Sequence, residues 1–122
     1  MPRPTLEIEQ DGQVVVARLI GEFDFTEADR VSSELMAATP NDAIGLVLDI
    51  SGVGYIDSSG VRMLFDLAGR LEVCRQRLAI ALPEDSPIRK LIKITKLEEV
   101  VLLCASAAEC VDGLREEQSD LV

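Results

Sequence analysis

The alternation of apolar runs with amphipathic helical segments restricts the fold more than any other feature of this sequence. Two apolar runs open the chain, a helical segment follows, and a strand-like run followed by a helical segment then occurs three times. The strand-like runs are residues 6–10, 14–20, 43–50, 78–82 and 100–103. Such alternation is typical of a sheet with parallel neighbours and helices on its faces. We predict a single α/β domain with a mixed sheet of about five strands and about four helices.

The chain is predicted to open with a β-hairpin. Asp11-Gly12 separates the first two apolar runs, and this pair is preferred in type I′ turns, whose two central residues both have positive φ. The first strand alternates apolar and polar residues and should be half exposed, whereas the second is nearly continuous and should lie deeper. Residues 21–25 are predicted to form a loop, and Thr26 to begin the first helix.

Length and charge limit the classes of partner. The 122 residues suit one domain, residues 1–122, of which about 115–122 are expected to be a frayed acidic tail. The net charge is −10, which argues against nucleic acid and anionic membranes as partners, because both require a basic patch. No apolar run approaches the ~18 to 20 residues of a membrane span. We therefore expect a cytoplasmic protein without direct membrane insertion.

Histidine is absent from the sequence, and this removes most hydrolytic mechanisms. There can be no Ser-His-Asp triad, Cys-His pair or His-ligated zinc site. The cysteines, Cys74, Cys104 and Cys110, show no Cys-x-x-Cys spacing and lie in apolar sequence, so all three are interpreted as small core residues. No metal site and no cofactor are expected from these residues.

The segment DISGVGYIDSSG, residues 49–60, carries the candidate site. It leaves an apolar strand, passes through a predicted short loop and reaches Ser58 just before a helix predicted over residues 61–74. The first backbone N–H groups of a helix have no partner within the helix, and the helix dipole makes this end positive, so a negative group is tolerated there. Asp24 also follows a predicted strand, so it should lie at the same edge of the sheet as Ser58.

Several chemistries compete for this segment. A dinucleotide-binding loop requires glycine where Asp57 stands, and no P-loop motif occurs. A receiver domain phosphorylated on Asp49 needs a lysine after the last strand, and that segment has none. Asp24, Asp49 and Asp57 are oxygen ligands of the kind used by a magnesium-dependent hydrolase, although nothing nearby supplies positive charge for a phosphate. The plain structural alternative is that Asp57 or Ser58 only caps the helix.

Phosphorylation of Ser58 by another protein is the remaining alternative. A phosphate adds roughly −1.5 to −2 charges, and the helix dipole offsets part of that charge, so the domain should stay folded. Asp24 and Asp57 would make the phosphorylated surface still more negative. The modification would therefore act on binding partners, through repulsion and desolvation.

Two segments of the chain resemble the STAS domain family, and in particular the bacterial anti-sigma factor antagonists. They are GEFD at residues 21–24 and LVLDISGVGYIDSSG at residues 46–60. The resemblance implies a small non-enzymatic α/β domain that a serine-kinase anti-sigma factor phosphorylates on Ser58. The unphosphorylated form would bind that kinase and release the sigma factor, and the phosphorylated form would not. A serine phosphatase would reverse the modification in this partner-switching cycle.

The residues around Ser58 are predicted to contact the partner, some by this resemblance and some by their position on the helix. Arg62 departs from the small or aliphatic residues of many family members; it can pair with phosphoserine or a partner carboxylate, or remain solvated. Met63 and Leu67 widen the apolar stripe of the helix, as core or as a partner-binding patch. The predicted contacts are Asp24, Asp57, Ser59, Gly60, Arg62 and Met63. An alternative within the family is a docking subunit of a transport or stress-signalling complex, without a phosphorylation cycle.

Overall fold

A computed structural model of the chain describes residues 5–23 and 25–119. The order of its elements follows the predicted alternation, so the predicted α/β class is confirmed. In chain order the elements are β1 (Thr5–Asp11), β2 (Val14–Phe23), α1 (Phe25–Ala38), β3 (Gly45–Ile56), α2 (Ser58–Val73), β4 (Arg77–Ala81), α3 (Pro87–Ile94), a 3₁₀ turn (Leu97–Glu99), β5 (Leu102–Cys104) and α4 (Ala107–Ser119).

The described strands form one five-stranded sheet in the order β1-β2-β3-β4-β5. β1 and β2 are antiparallel, and the other neighbours are parallel. Parallel strands joined through helices are covered on both faces, which explains why Gly45 to Ile50 of β3 are all buried. β1 lies at the edge and is largely exposed. The sheet therefore places the carboxyl ends of β2 and β3 next to each other at its centre.

Helices cover both faces of the sheet. α1, α2 and α3 pack on one face, against alternate strand residues such as Val15, Leu46 and Ile80. α4 packs on the other face, against the intervening residues such as Val16 and Val47. Alternate strand residues contact opposite helix layers because successive side chains of a strand point to opposite faces of the sheet. The larger core lies beneath α2 and fixes that helix on the sheet.

β2 and β3 are longer than the sequence predicts. Residues 21–25 and those after Ile50 read as loops, but Gly21 to Phe23 pair with β3 as far as Ile56. Two register shifts interrupt this pairing, as expected where an irregularity or bulge is inserted. Gly52 and Gly54 weaken the strand character of this segment in the sequence, but pairing with β2 keeps the segment in the sheet.

The opening hairpin is confirmed, but its turn differs from the predicted one. Asp11 pairs with Val14, so the two loop residues are Gly12 and Gln13 rather than Asp11 and Gly12. Gly12 has a φ of +61°, whereas Gln13 is not among the described residues with positive φ. A positive φ at the first central residue alone is the pattern of a type II′ turn, not of type I′.

Helix α4 continues as far as Ser119, into the segment of about residues 115–122 that is predicted to fray, and residues 120–122 lie outside the described residues. Arg115 anchors it, since its Nη2 donates to Oδ1 of Asp11 at 3.0 Å. Glu117 accepts from Nε of Arg77 at 3.2 Å. These contacts join segments far apart in sequence and could not be seen in a local pattern. No helix within residues 5–23 and 25–119 combines the length and hydropathy of a membrane span.

The cysteines occupy three different environments, and the prediction that all are core residues is wrong for one of them. Cys110 is buried, Cys104 is half-buried, and Cys74 is exposed at the C-cap of α2. Burial raises the pKa of the Cys110 thiol. Cys74 follows the last turn of its helix, where an apolar neighbourhood in sequence does not ensure burial.

Candidate partner-binding site at the start of helix α2

Ser58 is the first residue of α2 and follows a central strand by two residues. β3 ends at Ile56, Asp57 forms the N-cap, and α2 begins at Ser58, three residues before the predicted start. The helix is held on the sheet by its buried residues Gly60, Val61, Met63, Leu64, Leu67, Ala68 and Leu71. Their helical spacing turns one face of α2 to the core and leaves Ser58 at the surface.

Asp57, and not Ser58, caps the helix. The Asp57 backbone is extended, with φ −97° and ψ −178°, and its Oδ1 accepts a hydrogen bond from the Gly60 N–H at 2.9 Å. This satisfies one of the N–H groups that a helix leaves without a partner at its start. Ser58 is exposed, and its hydroxyl forms no hydrogen bond with any residue of the described segments. The hydroxyl is therefore free for another protein to reach.

The ends of β2 and β3 lie side by side, as predicted. Phe23 pairs with Ile56, so the segments that follow these strands leave the sheet at the same edge. Asp24, the predicted neighbour of Ser58 on the β2 side, lies outside the described residues. Its contact with the partner stays a prediction.

Two grooves border the start of α2. The α1–α2 groove has a volume of about 420 Å³ and is lined by polar residues that include Ser59 and Arg62. The α2–α3 groove has a volume of about 550 Å³ and is mainly apolar, with Ser58, Arg62, Phe65 and Leu91 in its lining. Ser58 lies at the end of the second groove. A partner that contacts Ser58 can thus reach apolar surface at the same time.

The other predicted contact residues differ in accessibility. Arg62 is exposed, lines both grooves and forms no ion pair within the described part of the chain. Met63 and Leu67 are 6% and 0% exposed. The suggestion that they form a partner-binding patch is therefore corrected, because both belong to the core, although Met63 still borders the α1–α2 groove. Gly60 is buried beneath the cap.

Two of the three residues proposed as magnesium ligands, Asp49 and Asp57, lie far apart, and the third, Asp24, is outside the described residues. Asp49 and Asp57 are eight residues apart on and after one strand, which separates them by roughly 25 Å. Asp49 is also occupied: it accepts from the Ser51 N–H at 3.0 Å and from Arg18 at 3.4 Å. Among the described residues, no group of three carboxylate or thiol side chains has the spacing of a metal site. Asp49 and Asp57 therefore cannot bind one magnesium ion together.

The sequence did not indicate the apolar groove. Helical spacing alone places Phe65 and Leu91 on the core stripes of their helices, but both are only half-buried. A signal was present in Val73 and Ile94, two large apolar residues outside the inward stripes of their helices. Whether neighbouring helices meet or leave a groove between them depends on the sheet that carries them.

Comparison with known proteins identifies the family. The sequence matches the STAS domain family over residues 5–110. No protein of curated function matches the sequence significantly.

Solved structures share the fold at low sequence identity. An anti-sigma factor antagonist from Mycobacterium paratuberculosis has a TM-score of 0.81 and 21% identity, over 93% of this chain and 95% of that one. The Bacillus cell fate determinant SpoIIAA in its phosphorylated form has a TM-score of 0.63 and 22% identity, over 90% and 99%. A sulfate transporter family protein from Wolinella succinogenes has a TM-score of 0.70 and 19% identity, over 86% and 87%. The chain with its strand-cap-helix site at Asp57 and Ser58 belongs to the STAS domain family.

Proposed function

We propose that this STAS protein is an anti-sigma factor antagonist whose binding surface surrounds Ser58 and is switched off by phosphorylation of Ser58. One observation carries the proposal: Ser58 is exposed at the first turn of α2 while Asp57 performs the capping. A serine with no structural task can be modified without loss of the fold. The similarity of the fold to proteins described as an anti-sigma factor antagonist and as SpoIIAA in its phosphorylated form supports this function.

The physical effect of phosphorylation follows from the surroundings of Ser58. The helix start tolerates the added charge, so the modified protein stays folded. A partner surface that matches the neutral hydroxyl meets two negative groups after modification, the phosphate and the Asp57 carboxylate. Each loss of ~1.4 kcal/mol in binding free energy weakens the complex tenfold. A modest repulsion is therefore enough to dissociate the complex.

In the proposed cycle this protein is a substrate and a binding module, and it performs no catalysis. A serine-kinase anti-sigma factor supplies the ATP site, binds the unphosphorylated form, and thereby releases a sigma factor. A serine phosphatase regenerates the binding form. This cycle regulates transcription in the bacterial cytoplasm. Contacts from Asp24, Asp57, Ser59, Gly60 and Arg62 to the kinase are part of the proposal.

The test is phosphorylation in vitro. The protein is incubated with a candidate cognate kinase and ATP, and the intact mass is measured beside the variants Ser58→Ala and Ser59→Ala. We expect one phosphate on the wild type and on Ser59→Ala, and none on Ser58→Ala. A gain of mass that persists in Ser58→Ala, or no gain at all, contradicts the assignment. Binding to the kinase should also be lost in Ser58→Asp.

A second candidate is a docking subunit of a transport complex, which the similarity to a sulfate transporter family protein favours. In that role the same surface binds its partner without a phosphorylation cycle. Ser58→Asp separates the two functions: binding to a transporter subunit that is unaffected by this substitution supports the second candidate, and loss of binding to the kinase supports the first.

A further inference from the structure

An apolar strip extends from Ser58 along the outer side of α2. The α2–α3 groove contains Phe65, and a second depression of about 400 Å³ continues from Phe65 past Gly69 to Val73. Across from α2, Leu91 of α3 lines the same groove. We call this surface the α2–α3 strip; it consists of Val61, Phe65, Gly69, Val73, Leu91 and Ile94.

The strip contains the two most exposed large apolar side chains of the described residues. Val73 is 85% exposed and Ile94 is 69% exposed. Ile94 lies three residues after Leu91 on α3, and residues three apart share a helix face. Exposed apolar side chains that border one groove mark an interaction site more often than scattered single residues do.

Gly69 has no role inside the domain that requires glycine. It lies within α2, and a Cβ at this position would have no atom of the described structure within 4 Å apart from its chain neighbours and the backbone of its own helix. Glycine is among the least favourable residues in a helix interior. A glycine that lowers helix stability without relieving an internal clash is explained if another chain approaches the helix backbone closely at this point.

Exposed cations flank the strip, although the protein as a whole has a net charge of −10. The flanking cations form no ion pair within the described segments, and two acidic side chains, Asp66 and Glu72, are exposed on the same stretch of α2. These cations are Arg62 and Arg70 on α2 and Lys90 on α3. Complementary charge selects an acidic partner and steers it to this surface.

We propose that the α2–α3 strip binds an amphipathic helix of a partner protein, with the apolar face of that helix in the groove, its closest approach at Gly69, and acidic residues along its flanks. The binding mode is that of a helix in an apolar groove. The inference does not depend on phosphorylation of Ser58. It applies equally to a kinase, a transporter subunit or another partner that presents such a helix.

The test uses two helical peptides of about 18 residues, long enough to span α2. Both carry the same leucine and alanine face, one with glutamate flanks and one with lysine flanks. Each is titrated into the full-length ¹⁵N-labelled protein and followed by amide chemical shifts. We expect the glutamate peptide to shift amides of residues 58–73 and 87–95, with an affinity roughly tenfold or more above that of the lysine peptide.

Variants distinguish docking on the strip from weak general adhesion. Gly69→Leu places a side chain in the path of the incoming helix and replaces glycine by a residue of higher helix propensity in α2. We therefore expect the melting temperature to be unchanged or raised, and the affinity for the glutamate peptide to fall roughly tenfold. Glu116→Leu adds the same side chain to exposed surface on α4 and should leave that affinity unchanged. The proposal is overturned by absent shifts, by shifts centred elsewhere, by equal affinity for both peptides, or by wild-type affinity in Gly69→Leu.

Discussion

Replacing the helix cap tests the division of roles between Asp57 and Ser58. In Asp57→Ala the Gly60 N–H loses its acceptor, now at 2.9 Å, and the positive helix end loses a carboxylate. Losing a capping side chain costs roughly 0.5–2 kcal/mol, and a charge at a helix terminus contributes about 0.3–1 kcal/mol. We expect Asp57→Ala to lower the free energy of unfolding by about 1–2 kcal/mol, and Asp57→Asn, which keeps an acceptor, by about 0.3–1 kcal/mol.

Ser58→Ala is the matched control, because Ser58 is exposed and makes no hydrogen bond within the described segments. Its unfolding free energy should stay within ~0.5 kcal/mol of the wild type. Urea unfolding followed by circular dichroism gives all four values by linear extrapolation. At high salt the difference in free energy of unfolding between Asp57→Asn and the wild type should become smaller, because salt screens the interaction of the carboxylate with the helix dipole. Equal losses in Ser58→Ala and Asp57→Ala, or no loss in Asp57→Ala, would refute the assignment of the cap.

Two further outcomes are expected from packing and from exposure. In Gly45→Ala the new Cβ would lie 2.6 Å from the carbonyl oxygen of Arg77, so urea unfolding should show a free energy of unfolding lower by about 1–3 kcal/mol. Gly54→Ala lies in the same strand with open space at its Cβ and should show no such decrease. Similar decreases in both variants would contradict the steric argument. Cys74 should react with a thiol-specific disulfide reagent in the native state, and Cys110 only after unfolding, because Cys110 is buried and burial raises its thiol pKa. The reaction of Cys74 should appear as a fast phase in the absorbance time course of the wild type and be absent from that of Cys74→Ser. A fast phase that remains in Cys74→Ser would contradict this order of reactivity.

Much of the candidate site could be predicted from the sequence. Ser58 stood out because an apolar strand, an aspartate and an amphipathic helix follow one another within a few residues, and each of these signals is local. The choice of Asp57 over Ser58 as the cap was left open, since both residue types are good caps. It depends on where the helix begins, and helix starts are poorly determined by sequence.

The sequence by itself determined the order of strands and helices, the aliphatic core and the exclusion of histidine chemistry. These follow from residue types and from periods of two and 3.6 residues, which act over short distances. The tertiary structure alone decided that β2 and β3 extend to Phe23 and Ile56, that Met63 is buried, and that an apolar strip with flanking cations runs between α2 and α3. Each of these depends on contacts between segments far apart in the chain, whose register no local pattern fixes.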